Sequence, residues 1–445
     1  MIRFLAWKLL NQWEKKRAYS ETLLDKALKK YKKLSHLDKA FVTELFYGTL
    51  RYLNQLDYII DRFSKVSPKR INIEVKNLLR LGIYQILYLR VPNAVATYET
   101  VELAKRRYPV WIVDFINALL RKVVTEKENI EFPKDDLITY ISLRYAYPDW
   151  LIKMWLKEFG KEDTIKICEI NNTPSPFTVR TNTIKTTREK LQESLASEGI
   201  MSEPTKFSPD GLVFKDTHKP PLETKAYRQG LFFMQSEPSQ LISHFLDPRP
   251  GERILDGCAG VGGKTTHLAQ IMGNKGNIYA IEPKKGRLKL LNENLNRLEI
   301  KNIFPKLGNL EKAIKSFPYH YFDRILIDAP CSSLGALRKN VDIKWRHKEE
   351  DILRLKELQR ALLETTVPYL RPKGILLYTT CTFTIEENED VIEAFLKGHP
   401  NFSLEDLGDL YPNYKTLCTL QGYLKTFPHI HGLDGFFAAR LCNKH

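Results

Sequence analysis

A chain of 445 residues with 43% hydrophobic residues has room for two or three domains with substantial cores. Its formal net charge of +16 points to a polyanionic partner. No apolar run approaches a membrane span, and Trp7 to Glu14 lacks the apolar core and cleavage site of a signal peptide. The six cysteines (168, 258, 331, 381, 418 and 442) contain no CxxC pair, which argues against a zinc site or a disulfide framework and fits a reducing cytoplasm.

In residues 1–125, 24 Lys/Arg stand against 11 Asp/Glu, a surplus of 13 that is most of the net charge. A phosphate backbone would answer that field, and a solvated lysine-rich surface is the bland alternative. The spacing in this stretch is helical: Ile2, Leu5, Leu9 and Leu10; then Leu23, Leu24, Ala27 and Leu28; then Phe41, Leu45, Phe46 and Leu50 within Asp38–Arg51. Arg80 to Leu89 predicts a helix stopped before Pro92, and Val110 to Val123 another. Five to seven helices without strands predict a bundle. The basic runs Lys29–Lys33 and Lys105–Arg107 are candidates for phosphate contact or simply solvated helix faces. Residues 126–136, charged and broken by Pro133, read as a linker.

Residues 137–235 change to a small α+β pattern. A helix starts near Pro148, a strand runs through Phe177-Thr-Val-Arg-Thr-Asn182, a helix covers Thr187–Glu198, and strands lie at Gly211–Phe214 and Gly230–Gln235. Phe177, Arg180 and Asn182 are candidate RNA contacts, although Phe177 also suits a core. Residues 236–445 read as a third, α/β domain, entered through a helix over Ser236–Leu246.

That domain holds the first chemical signal. A short strand ending at Asp256 runs into Gly257-Cys-Ala-Gly-Val-Gly-Gly-Lys264 and then into a helix-like run. Strand, glycine turn and helix place a nucleotide-like ligand at the carboxyl edge of a parallel sheet. Glu282, ending the next strand, is placed for ribose hydroxyls. Three ligands compete. A Walker A loop needs Gly where Cys258 stands, a dinucleotide fingerprint is only half matched by Gly260 and Gly262, and S-adenosylmethionine needs no phosphate cradle.

Two further buried strands follow. Arg324 to Asp328 leads into Ala-Pro-Cys331, and Gly374 to Thr380 leads into Cys381. Parallel strands would bring Asp328, Cys331 and Cys381 to the edge that carries the glycine turn. Free cysteines are more often small buried hydrophobes, but two at neighbouring strand ends beside an Asp are harder to explain that way. The segment 332–350 is a long polar and aromatic loop, and Arg338, Lys344, Trp345 and Arg346 combine charge with stacking surface, as RNA contacts do. Helices are predicted at Lys285–Arg297, at Glu350–Tyr369 with Pro372-Lys-Gly374 as terminator, and at Thr384–Leu396, with a final strand at Asp434–Leu441.

Asp-Ala-Pro-Cys-Ser-Ser at 328–333 and Thr-Cys-Thr at 380–382 resemble the fourth and sixth motifs of RNA 5-methylcytosine methyltransferases, and Asp256–Lys264 resembles their S-adenosylmethionine loop. Most of the chain is similar to the RsmB (Sun, Fmu) family of 16S ribosomal RNA methyltransferases, with a NusB-like region most evident at Asp38–Arg51. The resemblance implies an all-α NusB-like RNA-binding domain, a small RNA-recognition-like subdomain and a Rossmann-like class I methyltransferase domain whose last motif is an antiparallel edge hairpin. It implies Cys381 as nucleophile, Cys331 as the residue that resolves the adduct, and Asp328 at the base near N3. The cofactor contacts it implies are Cys258, Ala259, Gly260, Val261, Gly262, Gly263, Lys264, Glu282, Asn309 and Asp328. Gly260-Val261 stand where the family has Ala-Pro, and Asn309 where it has Asp. The implied partner is 16S rRNA, free or in an assembling small subunit, bound by a cytoplasmic monomer with no metal. Transfer RNA or 23S rRNA as target, a non-enzymatic NusB-type RNA-binding factor and a P-loop NTPase are the competing readings.

Overall fold

The computed structural model describes residues 1–16, 18–31, 33–67, 70–217 and 220–444, which divide between two compact units. The first comprises Met1–Thr173 and Leu337–Lys348. Its described residues up to 126 form seven helices: Ile2–Lys16, Ser20–Lys30, His36–Arg51, Leu53–Phe63, Ile73–Tyr88, Asn93–Lys105 and Val110–Glu126. The helix from His36 starts where a capping box allows it, with the Asp38 N–H donating to Ser35 Oγ (3.1 Å) and the Ser35 N–H donating to Asp38 Oδ2 (3.3 Å). Helix Ile73–Tyr88 is the buried centre, because Leu78, Leu79, Leu81, Ile83 and Ile86 cover its circumference. A Cβ at Gly82 would stand 2.9 Å from Leu120 Cδ2, so the missing side chain lets the helix from Val110 close on it. Arg80 is buried in this helix and forks onto Asp57 (2.6 and 2.7 Å), with Glu14 at 2.7 Å.

Two features of this unit differ from expectation. Helices Leu137–Tyr145 and Asp149–Asn171, the second broken at Gly160 (φ 72), belong to it and not with the strands that follow. So does 337–348, whose short helix Ile343–Arg346 lies in a segment that reads as an exposed loop.

The second unit comprises Pro174–Ala336 and the chain from Glu349 onward. Its small antiparallel sheet contains β1 (Phe177–Thr181), β2 (Ile200–Pro204), β3 (Gly211–Thr217) and β4 (Phe232–Met234) in the order β2-β3-β1-β4. Val179, Leu191, Leu195, Ile200, Leu212 and Phe232 form its core.

The large sheet contains β5 (Arg253–Asp256), β6 (Asn277–Glu282), β7 (Ile303–Leu307), β8 (Phe322–Asp328), β9 (Leu370–Thr380), β10 (Phe402–Glu405), β11 (Leu424–Thr426) and β12 (Phe436–Asn443). The order is β10-β12-β9-β8-β5-β6-β7, with β11 also on β12. The five strands from β9 to β7 are parallel, and β12 runs antiparallel between β9 and β10. The tail strand is therefore internal to the sheet and not its edge. Ile254, Leu326 and Leu377 face helices Glu237–Leu246 and Gly263–Ile271, while Leu255, Ile325, Ile327 and Leu376 face helices Glu349–Thr366 and Glu389–Gly398. Burial on both faces is why these strands read as unbroken apolar runs. Pro372-Lys-Gly374 does not end a helix; it lies within β9. The helix expected from Thr384 begins at Glu389, because Thr384 and Glu387 are used elsewhere, as described next. The chain order turns back between β5 and β8, which places a ligand crevice at their carboxyl ends.

Candidate active site

The glycine turn leaves β5 at that crevice. Asp256, the last residue of β5, is fully buried, and its carboxylate accepts from the Cys258 N–H (3.2 Å) and the Thr265 hydroxyl (2.6 Å). One side chain thus ties the strand end, the turn and the following helix together. Burial pushes the Asp256 carboxyl up to about 6, against the pull of the Thr265 hydroxyl. Gly260 (φ +59) and Gly262 (φ +92) take left-handed backbone. A Cβ on Gly260 would enter open space, whereas one on Gly262 would collide with Leu291 Cδ1. The turn is therefore packed from below and open above, a cradle formed by backbone, with the helix from Gly263 beginning beneath it. Glu282, at the end of β6, is buried and accepts from the Lys284 N–H (2.7 Å). These features fit a neutral-backbone cradle for S-adenosylmethionine, with a carboxylate for ribose hydroxyls. Asn309, just past β7, is exposed and keeps its side chain free of helix capping.

The second element stands on the adjacent strands. Asp328 pairs with Thr379 in register, so Cys331 and Cys381 leave neighbouring parallel strands at one edge. Their sulfurs are 3.3 Å apart, and the Cys381 N–H points to Cys331 Sγ at 3.4 Å. The two thiols are not equivalent. The hydrogen bond with Cys331 pulls the Cys381 thiol below the ordinary range, against burial, with help from the Ser333 hydroxyl at 3.3 Å. The same bond, then burial, holds Cys331 well above it. These directions favour a thiolate at Cys381 with the proton kept on Cys331. Lys264 Nζ lies 2.7 Å from Asp328 Oδ2, and this ion pair of a buried lysine with a half-buried carboxylate places opposing charges near the sulfurs. Cys258, by contrast, is pushed well up by burial and keeps its proton.

Two residues at the site, Glu387 and Gln359, carried no sequence signal, and a third, Ser333, lies in the 328–333 motif without a role read for it. Glu387 is a buried carboxylate that accepts from the Ser332 N–H (2.8 Å), the Ser332 hydroxyl (2.5 Å), Gln359 Nε2 (3.0 Å) and the Thr384 hydroxyl (3.0 Å). It clamps the turn after Cys331 to the turn after Cys381. Gln359 reaches it from helix Glu349–Thr366 and also donates to Pro330 O at 3.0 Å. Ser333 stands against both thiols. An acid within Glu386-Glu-Asn-Glu389 looks like an ordinary solvated helix start, and nothing in its spacing marks it.

The expected RNA contacts fare differently. Arg180 is fully buried: it donates to Gln270 Oε1 (2.9 Å), Gly263 O (2.6 Å) and Thr266 Oγ1 (2.9 Å), and also to Gln235. It fastens β1 to the helix that follows the glycine turn, and burial among neutral acceptors pushes its guanidinium down to about 9. Asn182 is buried likewise and bonds Gly230 O and Leu298 O. Lys344 is buried with its ammonium 3.8 Å from the Tyr147 ring centroid. Neither Arg180 nor Lys344 offers a cation to RNA. Trp345 is half-buried, with Nε1 donating to Leu50 O at 2.6 Å, and the Arg346 guanidinium sits 3.6 Å over the Tyr19 ring. Arg338 keeps part of its surface and donates to Thr173 Oγ1 at 3.1 Å. Phe177 is exposed, stacked on Phe214. In the basic runs, Lys29 pairs with Asp25 (2.7 Å) and Lys105 with Glu102 (2.6 Å), and Lys32 lies outside the described residues.

Comparison with known proteins finds three family matches along the chain, the middle one of which spans the boundary between the two compact units. Residues 1–125 match the NusB family, 147–219 the ferredoxin-like domain of RsmF/B-like methyltransferases, and 243–442 the 16S rRNA methyltransferase RsmB/F family. The chain is 35% identical over 446 positions to a probable ribosomal RNA small subunit methyltransferase B of Bacillus subtilis (strain 168), covering 100% of this chain and 99% of that one. The crystal structure of PH0851 is similar with a TM-score of 0.84 at 28% identity, covering 99% of this chain and 98% of that one. NSun6 from Pyrococcus horikoshii, solved with SFG, is similar with a TM-score of 0.59 at 25% identity, covering 68% of this chain and 99% of that one.

Proposed function

The chain belongs to the RsmB/F family of 16S ribosomal RNA methyltransferases, and from that membership we propose that it methylates C5 of a cytosine through a bond between Cys381 and the base. It is an S-adenosylmethionine-dependent RNA methyltransferase with ribosomal RNA as its substrate. The observation that carries the proposal is the pair of sulfurs, 3.3 Å apart at the sheet edge that holds the glycine turn.

C5 of cytosine is a weak nucleophile. When the Cys381 thiolate adds to C6, a C–S bond forms and the electron pair of the 5,6 double bond becomes available at C5. S-adenosylmethionine, when bound, supplies the methyl group as an electrophile. The C5 proton then passes to a base, the 5,6 double bond re-forms, and the C6–S bond breaks with its pair returning to sulfur. The Cys331 S–H stabilises the anion that Cys381 becomes on leaving. Asp328, held by Lys264, is the carboxylate assigned to the base near N3. An RNA-binding factor without chemistry would need none of these groups.

Small-subunit RNA is the assigned target. Bisulfite sequencing of 16S rRNA from cells with and without the gene should show one cytosine that loses protection when the gene is absent. Identical protection at every cytosine of that RNA would defeat the assignment.

A further inference from the structure

Ser333 is the non-glycine residue in left-handed backbone (φ 57) at the active-site edge. Its neighbours impose that conformation. On one side Ser332 is anchored, its N–H and hydroxyl on Glu387 and its hydroxyl also 3.0 Å from Thr382 Oγ1. On the other, the Gly335 N–H donates to Cys381 O (3.0 Å), and Gly335 O accepts from the Gly435 N–H (2.8 Å). The chain must turn between these anchors, and glycine would do so without strain. A serine is held there instead. Strain kept at a site edge is an invitation to ask what the side chain does. Its oxygen accepts from the Cys381 S–H at 3.3 Å and lies 3.9 Å from Cys331 Sγ, while its hydrogen has only a long partner among the described residues, Cys331 O at 3.5 Å, and can turn to the Cys381 sulfur once that thiol has lost its proton.

We propose that the Ser333 hydroxyl is a catalytic group of this site, donating its hydrogen to the Cys381 sulfur in the anionic form. The inference rests on Cys381 being the nucleophile. Cys331 supplies one S–H donor, and a hydroxyl is the stronger donor of the two. With both in place the anion is solvated by fixed groups before it attacks C6 and again after it leaves. No proton is transferred by Ser333, and no bond to it is made or broken.

The test uses Ser333→Gly and Ser333→Ala in the full chain, with alkylation of Cys381 by iodoacetamide followed by peptide mass spectrometry across pH. Both variants lose the hydroxyl, but only Ser333→Gly also relieves the backbone. Each should move the half-maximal alkylation of Cys381 upward by roughly one pH unit, because one hydrogen bond to a charged group is worth about that much. Methyl transfer under single-turnover conditions should fall about three- to tenfold at pH 7 and recover near pH 9, where the thiol ionises unaided. Ser333→Gly should do this with a thermal midpoint no lower than that of the parent, which separates lost chemistry from lost structure. An unchanged alkylation profile, or a shift in only one of the two variants, overturns the proposal. A separate reaction of the parent with RNA containing 5-azacytosine checks the nucleophile: absence of a Cys381-linked base sinks that assignment and leaves the alkylation result to stand alone.

Discussion

The glycine turn and the sulfur pair share one edge of one sheet but are held in different ways. The turn is a backbone device. Its shape comes from φ values at Gly260 and Gly262, and one carboxylate, Asp256, secures both ends. The sulfur pair is a side-chain device. Its geometry depends on Glu387, on Ser332 and Thr384 on the two turns that Glu387 joins, and on Gln359 from a helix on one sheet face. A backbone device tolerates exchange of side chains that point away from it, so Val261 in place of proline costs little. A side-chain device transmits any change in its clamp directly to the reacting atoms.

The largest expected effect falls on the sulfur side. Cys381→Ala should lower methyl transfer by at least about 10³-fold while S-adenosylmethionine affinity, measured by calorimetry, stays close to that of the parent. Near-normal turnover would make the two elements equivalent after all. Glu387→Gln comes next. The amide replaces one of two oxygens, each of which accepts from two donors, with a donor, at a cost of about 1–3 kcal/mol. Displacement of the thiols should lower the rate about 10²-fold with cofactor affinity again retained. If affinity falls with rate, the clamp serves the turn as well, and the contrast fails.

The turn has its own support in Arg180. Arg180→Met removes the guanidinium donors to Gly263 O, Thr266 Oγ1 and Gln270 Oε1. Cofactor affinity should weaken about tenfold, with little change in the Cys381 alkylation profile. Val261→Ala should change affinity less than about twofold, since this half-exposed side chain does not shape the turn. The pH–rate profile sharpens the same contrast. Cys381 lies below the ordinary thiol range, so the rate should rise with pH and reach its plateau below pH ~8.5.

Much of this arrangement was legible in the sequence, and the gaps have physical causes. Strands β5, β6, β8 and β9 read clearly because burial on both faces leaves unbroken apolar runs, closed by Gly, Pro or Cys. β2, β10 and β11 did not, since each has three to five residues and mixed polarity. Asp342 and Lys344 look like surface residues in any local reading. They are buried because Trp13 Nε1 (3.3 Å), the Ser20 hydroxyl (2.6 Å) and the Tyr147 ring happen to satisfy them. Such pairings join positions more than 190 residues apart in sequence and leave no periodic trace. That Asp328, Cys331 and Cys381 share one sheet edge is legible because each stands at or just past a strand end, whereas Glu387 is hidden in a run of acids. The NusB-like helices cannot be tested by deletion of 1–125, because Trp13, Ser20 and Leu50 support 337–348 within the same unit.

The sharpest trial is a trapping experiment on Cys331→Ala. Without the donor that stabilises the departing sulfur, the bond between Cys381 and C6 should outlast methyl transfer. Incubation with substrate RNA and S-adenosylmethionine should yield a denaturant-resistant protein–RNA band whose peptide map places the base on Cys381. The double variant Cys331→Ala/Cys381→Ala should give no such band. A band that survives in the double variant, or no band with any ribosomal RNA that the parent methylates, would contradict the assignment of the two sulfurs.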